Sequence, residues 1–138
     1  MKRISIIGSE SYLAKNFIKY TENENLKIFC YDYVNKEEAP RKHYTQINFL
    51  DHDSIRKINY DVDAIMVFTG KTGTTASFRW PEQFIVVNEI MLSNILSIYI
   101  EKQSKALIIY PSTRLIYRSN ETERVSEDSE VELKSVYA

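Results

Sequence analysis

Four short stretches carry the side chains that could do chemistry. The first is Gly8-Ser9-Glu10-Ser11-Tyr12-Leu13-Ala14, between an apolar run and an amphipathic segment. A turn that holds a dinucleotide needs a residue without Cβ where the chain reverses and a small residue where backbone meets pyrophosphate. It needs another where helix packs on strand. Gly8, Ser11 and Ala14 stand in those three places, and the N–H groups of a following helix would face phosphate. Two of the three expected glycines are replaced, so the turn alone also reads as an ordinary strand–helix connection. The second stretch ends at Asp32, where a carboxylate can accept hydrogen bonds from both ribose hydroxyls of an adenosine and repel a 2′-phosphate; that favours NAD over NADP. The third is Pro111-Ser112-Thr113-Arg114-Leu115-Ile116-Tyr117, whose hydroxyls follow an apolar run and would point into the crevice at the carboxyl end of a parallel strand. The fourth is Ser135-Val136-Tyr137-Ala138, with a phenol at position 137.

Gly70-Lys71-Thr72 imitates the end of a phosphate-binding P-loop. The upstream glycine should then stand where Ile65 is, inside an apolar run, and the loop is not expected to lead directly into a helix.

The elements that position these residues follow from hydrophobic patterning. The runs Ile4–Ile7, Leu26–Tyr31, Tyr44–Phe49, Ala64–Phe68 and Ala106–Tyr110 are short, rich in β-branched or aromatic residues and apolar at consecutive positions. Strands buried on both faces of a parallel sheet read this way. Between them come helical segments over Tyr12–Tyr20, Ser54–Ile58 and Pro81–Gln103, and a short connection around Asn35–Arg41. Asp51 to Ser54 offer capping side chains before Ile55, and Pro81 suits a first helical turn. Alternating strand and helix predicts an α/β fold: a Rossmann-like doubly wound parallel sheet of about five strands in the order 3-2-1-4-5. The apolar residues of Pro81–Gln103 surround most of the helix, so one face should cover the sheet and another should meet a further helix or a partner subunit. Residues 1–118 form the expected dinucleotide-binding domain, and 119–138 an acidic polar loop leading into the start of a truncated helix.

Composition narrows the class. A net charge of −1 gives no electrostatic reason to expect nucleic acid or an acidic membrane surface. Cys30 is the single cysteine, and His43 and His52 are isolated, so no metal site is expected. No stretch approaches the roughly 18 apolar residues of a membrane span, and the start is too short for a signal-peptide core. The expected setting is cytoplasmic.

Taken in this order, the pieces resemble the extended short-chain dehydrogenase/reductase family, the NAD-dependent nucleotide-sugar epimerases and dehydratases, over essentially the whole chain. Gly8, Ser11 and Ala14 match its glycine turn in degraded form. Asn48-Phe49-Leu50-Asp51 resembles an Asp-hydrophobic-x-Asp segment near adenine, with Asn in place of the first Asp. Phe68-Thr69-Gly70 resembles the Leu-Ala-Ala beside the cofactor, and Pro81 and Asn88 match a proline and a helix asparagine. Ser112 to Tyr117 match Ser-Ser/Thr-x-x-Val-Tyr, with Arg118 where glycine is usual. Glu127-Asp128 and Ser135-Val136-Tyr137-Ala138 resemble the acidic pair and the opening of the Tyr-x-x-x-Lys motif.

The resemblance implies NAD as cofactor, held by Gly8, Ser11, Tyr12, Leu13, Asp32, Asn48, Phe49, Phe68, Thr69, Gly70 and Asn88. It implies Thr113 and Tyr137 as catalytic groups, the tyrosine taking a proton from a sugar hydroxyl while the adjoining carbon gives hydride to NAD. The motif's lysine would lie four residues beyond Tyr137, past the last residue. Tyr137 is therefore expected to lack its positioning, and this chain to be an inactive portion of a larger enzyme. The implied partners are a nucleotide-sugar substrate and a second copy, bound through Pro81–Gln103. The alternatives are a non-catalytic NAD(H)-binding or regulatory module of Rossmann type and an unrelated α/β binding domain; a downstream lysine, helix and strands would decide for the enzyme.

Overall fold

The computed structural model describes residues 1–39, 41–118 and 124–138. Five strands, β1 (Lys2–Ile7), β2 (Leu26–Asp32), β3 (Tyr44–Gln46), β4 (Ala64–Val67) and β5 (Leu107–Ile109), form one sheet in the order β3-β2-β1-β4-β5. Every pairing is parallel. The predicted architecture and strand order are therefore present.

Consecutive apolar residues serve both faces of the sheet. On one face Ile4, Ile6, Met66 and Phe68 pack with Ala14, Phe17 and Ile18 of α1 (Tyr12–Tyr20). On the other, Ile7, Ile65 and Val67 join Met91, Ile95 and Ile98. These belong to α4, a continuous helix over Pro81–Glu101. Ser5 lies buried among them and satisfies its hydroxyl by donating to the Asn59 carbonyl at 2.7 Å. The remaining helices are short: α2 (His52–Ile55), capped by Asp51 accepting from the Asp53 N–H at 3.1 Å, and α3 (Thr74–Arg79).

Several boundaries differ from the sequence reading. β3 ends at Gln46 rather than Phe49, because the chain turns at Asn48 and Phe49 dips into the core. The helix near Ser54 begins at His52 and ends at Ile55. α3, a helix the sequence reading did not assign, starts two residues after Thr72; its N-cap is Gly73, with no side-chain cap to announce it. α4 ends at Glu101 instead of Gln103, and its Ile85–Ile90 turn is π-helical.

α4 also corrects the expectation about membrane-length segments. An 18-residue window of this 21-residue helix reaches a mean hydropathy of 1.5, long and apolar enough by composition to cross a membrane. Here Phe84, Met91, Ile95 and Ile98 are buried, while Ile85, Ile90 and Ile100 stay exposed.

The segment after the last strand folds back on itself. Tyr117 and Val131 form an antiparallel bridge, and Arg118 pairs with Glu130 and Glu132. The boundary drawn at 118/119, and Glu121 and Glu123 of the acidic stretch, fall at or within 119–123, outside the described residues.

Candidate active site at the carboxyl edge of the sheet

The carboxyl ends of β1, β2 and β4 meet at one cleft. Gly8 leaves β1 with φ +81, and its N–H donates to the Tyr31 carbonyl at 2.8 Å. A Cβ at Gly8 would lie 2.5 Å from the Thr69 nitrogen and 2.8 Å from the Phe68 carbonyl carbon. The turn can cross so close to the end of β4 only because glycine stands there. Ser11 is the N-cap of α1, its hydroxyl accepting from the Ala14 N–H at 3.3 Å. Tyr12 and Leu13 open the helix, where main-chain N–H groups have no intrahelical acceptor. Both side chains are exposed, and Ala14 is fully buried against the sheet.

Asp32 is only 3% exposed, yet both carboxylate oxygens are satisfied. Oδ2 accepts from the Glu10 N–H and Oδ1 from the Tyr33 N–H, each at 2.8 Å. Gly8, Glu10, Ser11, Asp32, Phe68, Thr69 and Gly70 help line a cleft of about 200 Å³. Sequence reasoning singled out all of these except Glu10.

The charge around Glu10 is organised. Its carboxylate bonds the Arg41 Nε at 2.5 Å and the Lys15 Nζ at 3.2 Å. Next to it, burial pushes the Cys30 thiol up to about 11, against the opposing pull of Arg41. Tyr44 is pushed up to about 12 by burial, then by Asp32 and Glu10. Its hydroxyl donates to the Val34 carbonyl at 2.5 Å. The Ser9 hydroxyl is fully buried beside the Cys30 thiol, with no well-formed hydrogen bond among the described residues.

Asn48, Phe49 and Asn88 are placed differently from the cleft residues. Asn48 Oδ1 accepts from the Leu50 N–H at 3.0 Å, and its own N–H donates to Ser54 Oγ at 2.9 Å, so the side chain shapes its own turn. Phe49 is buried in the larger core. Asn88, on the π-helical turn, grips the Lys71 main chain from both sides: Oδ1 accepts its N–H at 2.7 Å, and Nδ2 donates to its carbonyl at 2.9 Å. That clamp fixes the loop beside Gly70.

A second, larger cavity of about 810 Å³ lies between α4 and the last residues of the chain. Asn88, Glu89, Ser112, Thr113 and Tyr137 all line it. Thr113 Oγ1 caps the short 3-10 turn Arg114–Ile116, accepting from the Leu115 N–H at 3.3 Å. Tyr137 is half-buried, its ring edge-on to Phe84 with centroids 6.2 Å apart. Burial raises the neighbouring Tyr110 phenol, and Tyr137 and Glu89 push the same way. Two hydroxyls far apart in sequence thus share one cavity wall. Among the described residues no cluster of His, Cys, Asp and Glu could hold a metal ion.

The dinucleotide fits what these residues present. The cleft offers a turn without Cβ, main-chain N–H groups at a helix start, and a fixed carboxylate at the end of the second strand.

Comparison with known proteins agrees with the fold. The model of the NAD dependent epimerase/dehydratase family matches residues 4–138. No curated protein matches the chain. Among solved structures, the UDP-Glc/GlcNAc 4-epimerase from Campylobacter jejuni is 18% identical with a TM-score of 0.83, over 99% of this chain and 45% of that one. A UDP-glucose 4-epimerase from Thermus thermophilus, in complex with NAD, is 15% identical with a TM-score of 0.84, over 98% and 46%. RMD from Pseudomonas aeruginosa, complexed with NADPH, is 16% identical with a TM-score of 0.74, over 99% and 44%. The chain therefore spans less than half the length of each of these three. At such identities the likeness is one of fold.

Proposed function

The chain belongs to the NAD-dependent epimerase/dehydratase family, and from that premise we propose that it is the NAD-binding part of an enzyme acting on a nucleotide sugar. The observation that carries this reading is the cleft where the Gly8 turn, the Asp32 carboxylate and the Thr69 backbone converge. The main chain from Gly8 to Leu13 receives the pyrophosphate, and Asp32 accepts the ribose hydroxyls. Phe68, Thr69 and Gly70 form the floor of the path towards Thr113, and Asn88 holds that path in shape through Lys71.

NAD, once bound, supplies a reversible hydride acceptor. The chain's own residues handle the proton and the oxygen. Thr113 holds the reacting sugar oxygen, and Tyr137, as the phenolate, takes its proton. A free phenol has a pKa near 10, so a base near neutral pH needs a cation beside it. The family reading supplies a lysine four residues beyond Tyr137 for that purpose. A second copy docks on the exposed isoleucines of α4, and the setting is cytoplasmic, where the lone Cys30 stays a thiol.

Calorimetric titration tests the cofactor assignment. NAD should bind more tightly than NADP, and Asp32→Ala should erode the preference. Equal affinity of the unaltered chain for both dinucleotides would refute the role given to Asp32.

A further inference from the structure

Glu10 stands in the turn one residue before the helix cap, and it meets the cofactor cleft in two ways. Its N–H holds Asp32 Oδ2 at 2.8 Å, which places it beside the carboxylate assigned to the ribose. Its side chain, 12% exposed, lies between two cations from different elements. Lys15 comes from α1, and Arg41 from the connection between β2 and β3. Arg41 uses Nε for this contact, and among the described residues its terminal nitrogens have no partner.

These four groups balance: two carboxylates, Glu10 and Asp32, against two cations, Lys15 and Arg41. A 2′-phosphate brings close to two negative charges at neutral pH. Arginine is the side chain best shaped to receive it, through paired N–H donors. The fold itself carries either dinucleotide, since one neighbour holds NAD and another NADPH. The choice must therefore lie with side chains; of Glu10, Arg41 and Lys15, Glu10 is the one that lines the cleft, and the two cations lie behind it.

We propose that Glu10 is a cofactor-selecting residue: by occupying Arg41 and Lys15 it withholds from the ribose 2′ position the cations that a phosphate would need. Asp32 selects NAD by accepting hydroxyls; Glu10 selects it by cancelling positive charge that would otherwise welcome NADP. This rests on the NAD-binding reading above. Glu10→Gln keeps the side chain's size and its acceptor oxygen while removing the charge, leaving Arg41 and Lys15 in net excess.

The test is calorimetric titration of the full chain, its Glu10→Gln variant, the Glu10→Gln/Arg41→Gln double variant and Glu10→Asp, each with NAD and with NADP. Glu10→Gln should raise the NADP-to-NAD affinity ratio by about tenfold or more, the effect of one charge-assisted hydrogen bond to phosphate. Adding Arg41→Gln should return the ratio towards its starting value, and Glu10→Asp should preserve the starting preference for NAD. An unchanged ratio in Glu10→Gln overturns the proposal, as does a rise that survives loss of Arg41. If NAD binds the unaltered chain and Asp32→Ala erodes its preference while Glu10→Gln does nothing, only the role of Glu10 falls. If neither dinucleotide binds any of these proteins, the cofactor reading falls and takes this inference with it.

Discussion

Replacing Gly8 with alanine tests the idea that the turn's closeness to β4 demands glycine. Two penalties apply. The backbone sits at φ +81, which costs an L-residue about 1–3 kcal/mol. The new Cβ would also lie 2.5 Å from the Thr69 nitrogen, about 0.9 Å inside ordinary contact. That neighbour is main chain held in register, since the Phe68 N–H donates to the Ile7 carbonyl at 2.7 Å. Relieving the overlap means shifting the turn or the end of β4, at a cost of about 1–3 kcal/mol. The total, about 2–6 kcal/mol, is a large share of the stability of a typical domain. Gly73 isolates the first penalty: its φ is +115, but a Cβ added there would find its nearest neighbour 3.9 Å away. Urea denaturation followed by circular dichroism should therefore show Gly8→Ala losing about 1–3 kcal/mol more than Gly73→Ala, with loss of NAD binding confined to Gly8→Ala. Equal destabilisation of the two variants would refute the close-approach argument.

Three further outcomes follow. Asn88→Ala should remove both hydrogen bonds to Lys71, at a net cost of about 1–3 kcal/mol; hydrogen exchange at the Lys71 amide should quicken while that at Val67 in β4 does not. Burial raises Cys30 from 9.0 to about 11, so the unfolded chain releases that proton first as pH rises. The stabilisation is complete below about pH 9 and falls by about 2–3 kcal/mol towards pH 11; urea midpoints for Cys30→Ala should change less between pH 8 and pH 10 than those of the unaltered chain. Ile100 is 71% exposed and Ile90 45%, and each buried in a dimer would gain up to about 1.5–3 kcal/mol. Sedimentation should show self-association of the unaltered chain, abolished by Ile90→Glu with Ile100→Glu; a monomer at high concentration would refute it.

The strand order was legible because runs such as Ile4–Ile7 and Ala64–Val67 are apolar at almost every position, which a sheet covered on both faces explains. Gly8 and Asp32 were legible because their spacing is local to one strand–turn–helix–strand unit. α3 was not: Gly73 offers no capping side chain, and Thr74-Thr75 favour strand as readily as helix. The π-helical turn was hidden too, since one extra residue per turn leaves composition untouched. Phe49 reads as part of a strand because it is aromatic beside an apolar run, yet it serves the core from beyond the strand's end. The pairing of Glu10 with Arg41 joins residues 31 apart, and no periodicity announces a contact made only by tertiary folding.

The two main-chain N–H groups on Asp32 have a consequence for how tightly anything binds there. A carboxylate free to rotate would lose that freedom when a ligand arrives, a cost of about 0.5–1.5 kcal/mol for an immobilised side chain. Asp32 has already lost it in folding, because Glu10 and Tyr33 fix one oxygen each. In the binding mode proposed above, an incoming ribose hydroxyl would meet an acceptor whose direction is already set, and the association would be spared that cost.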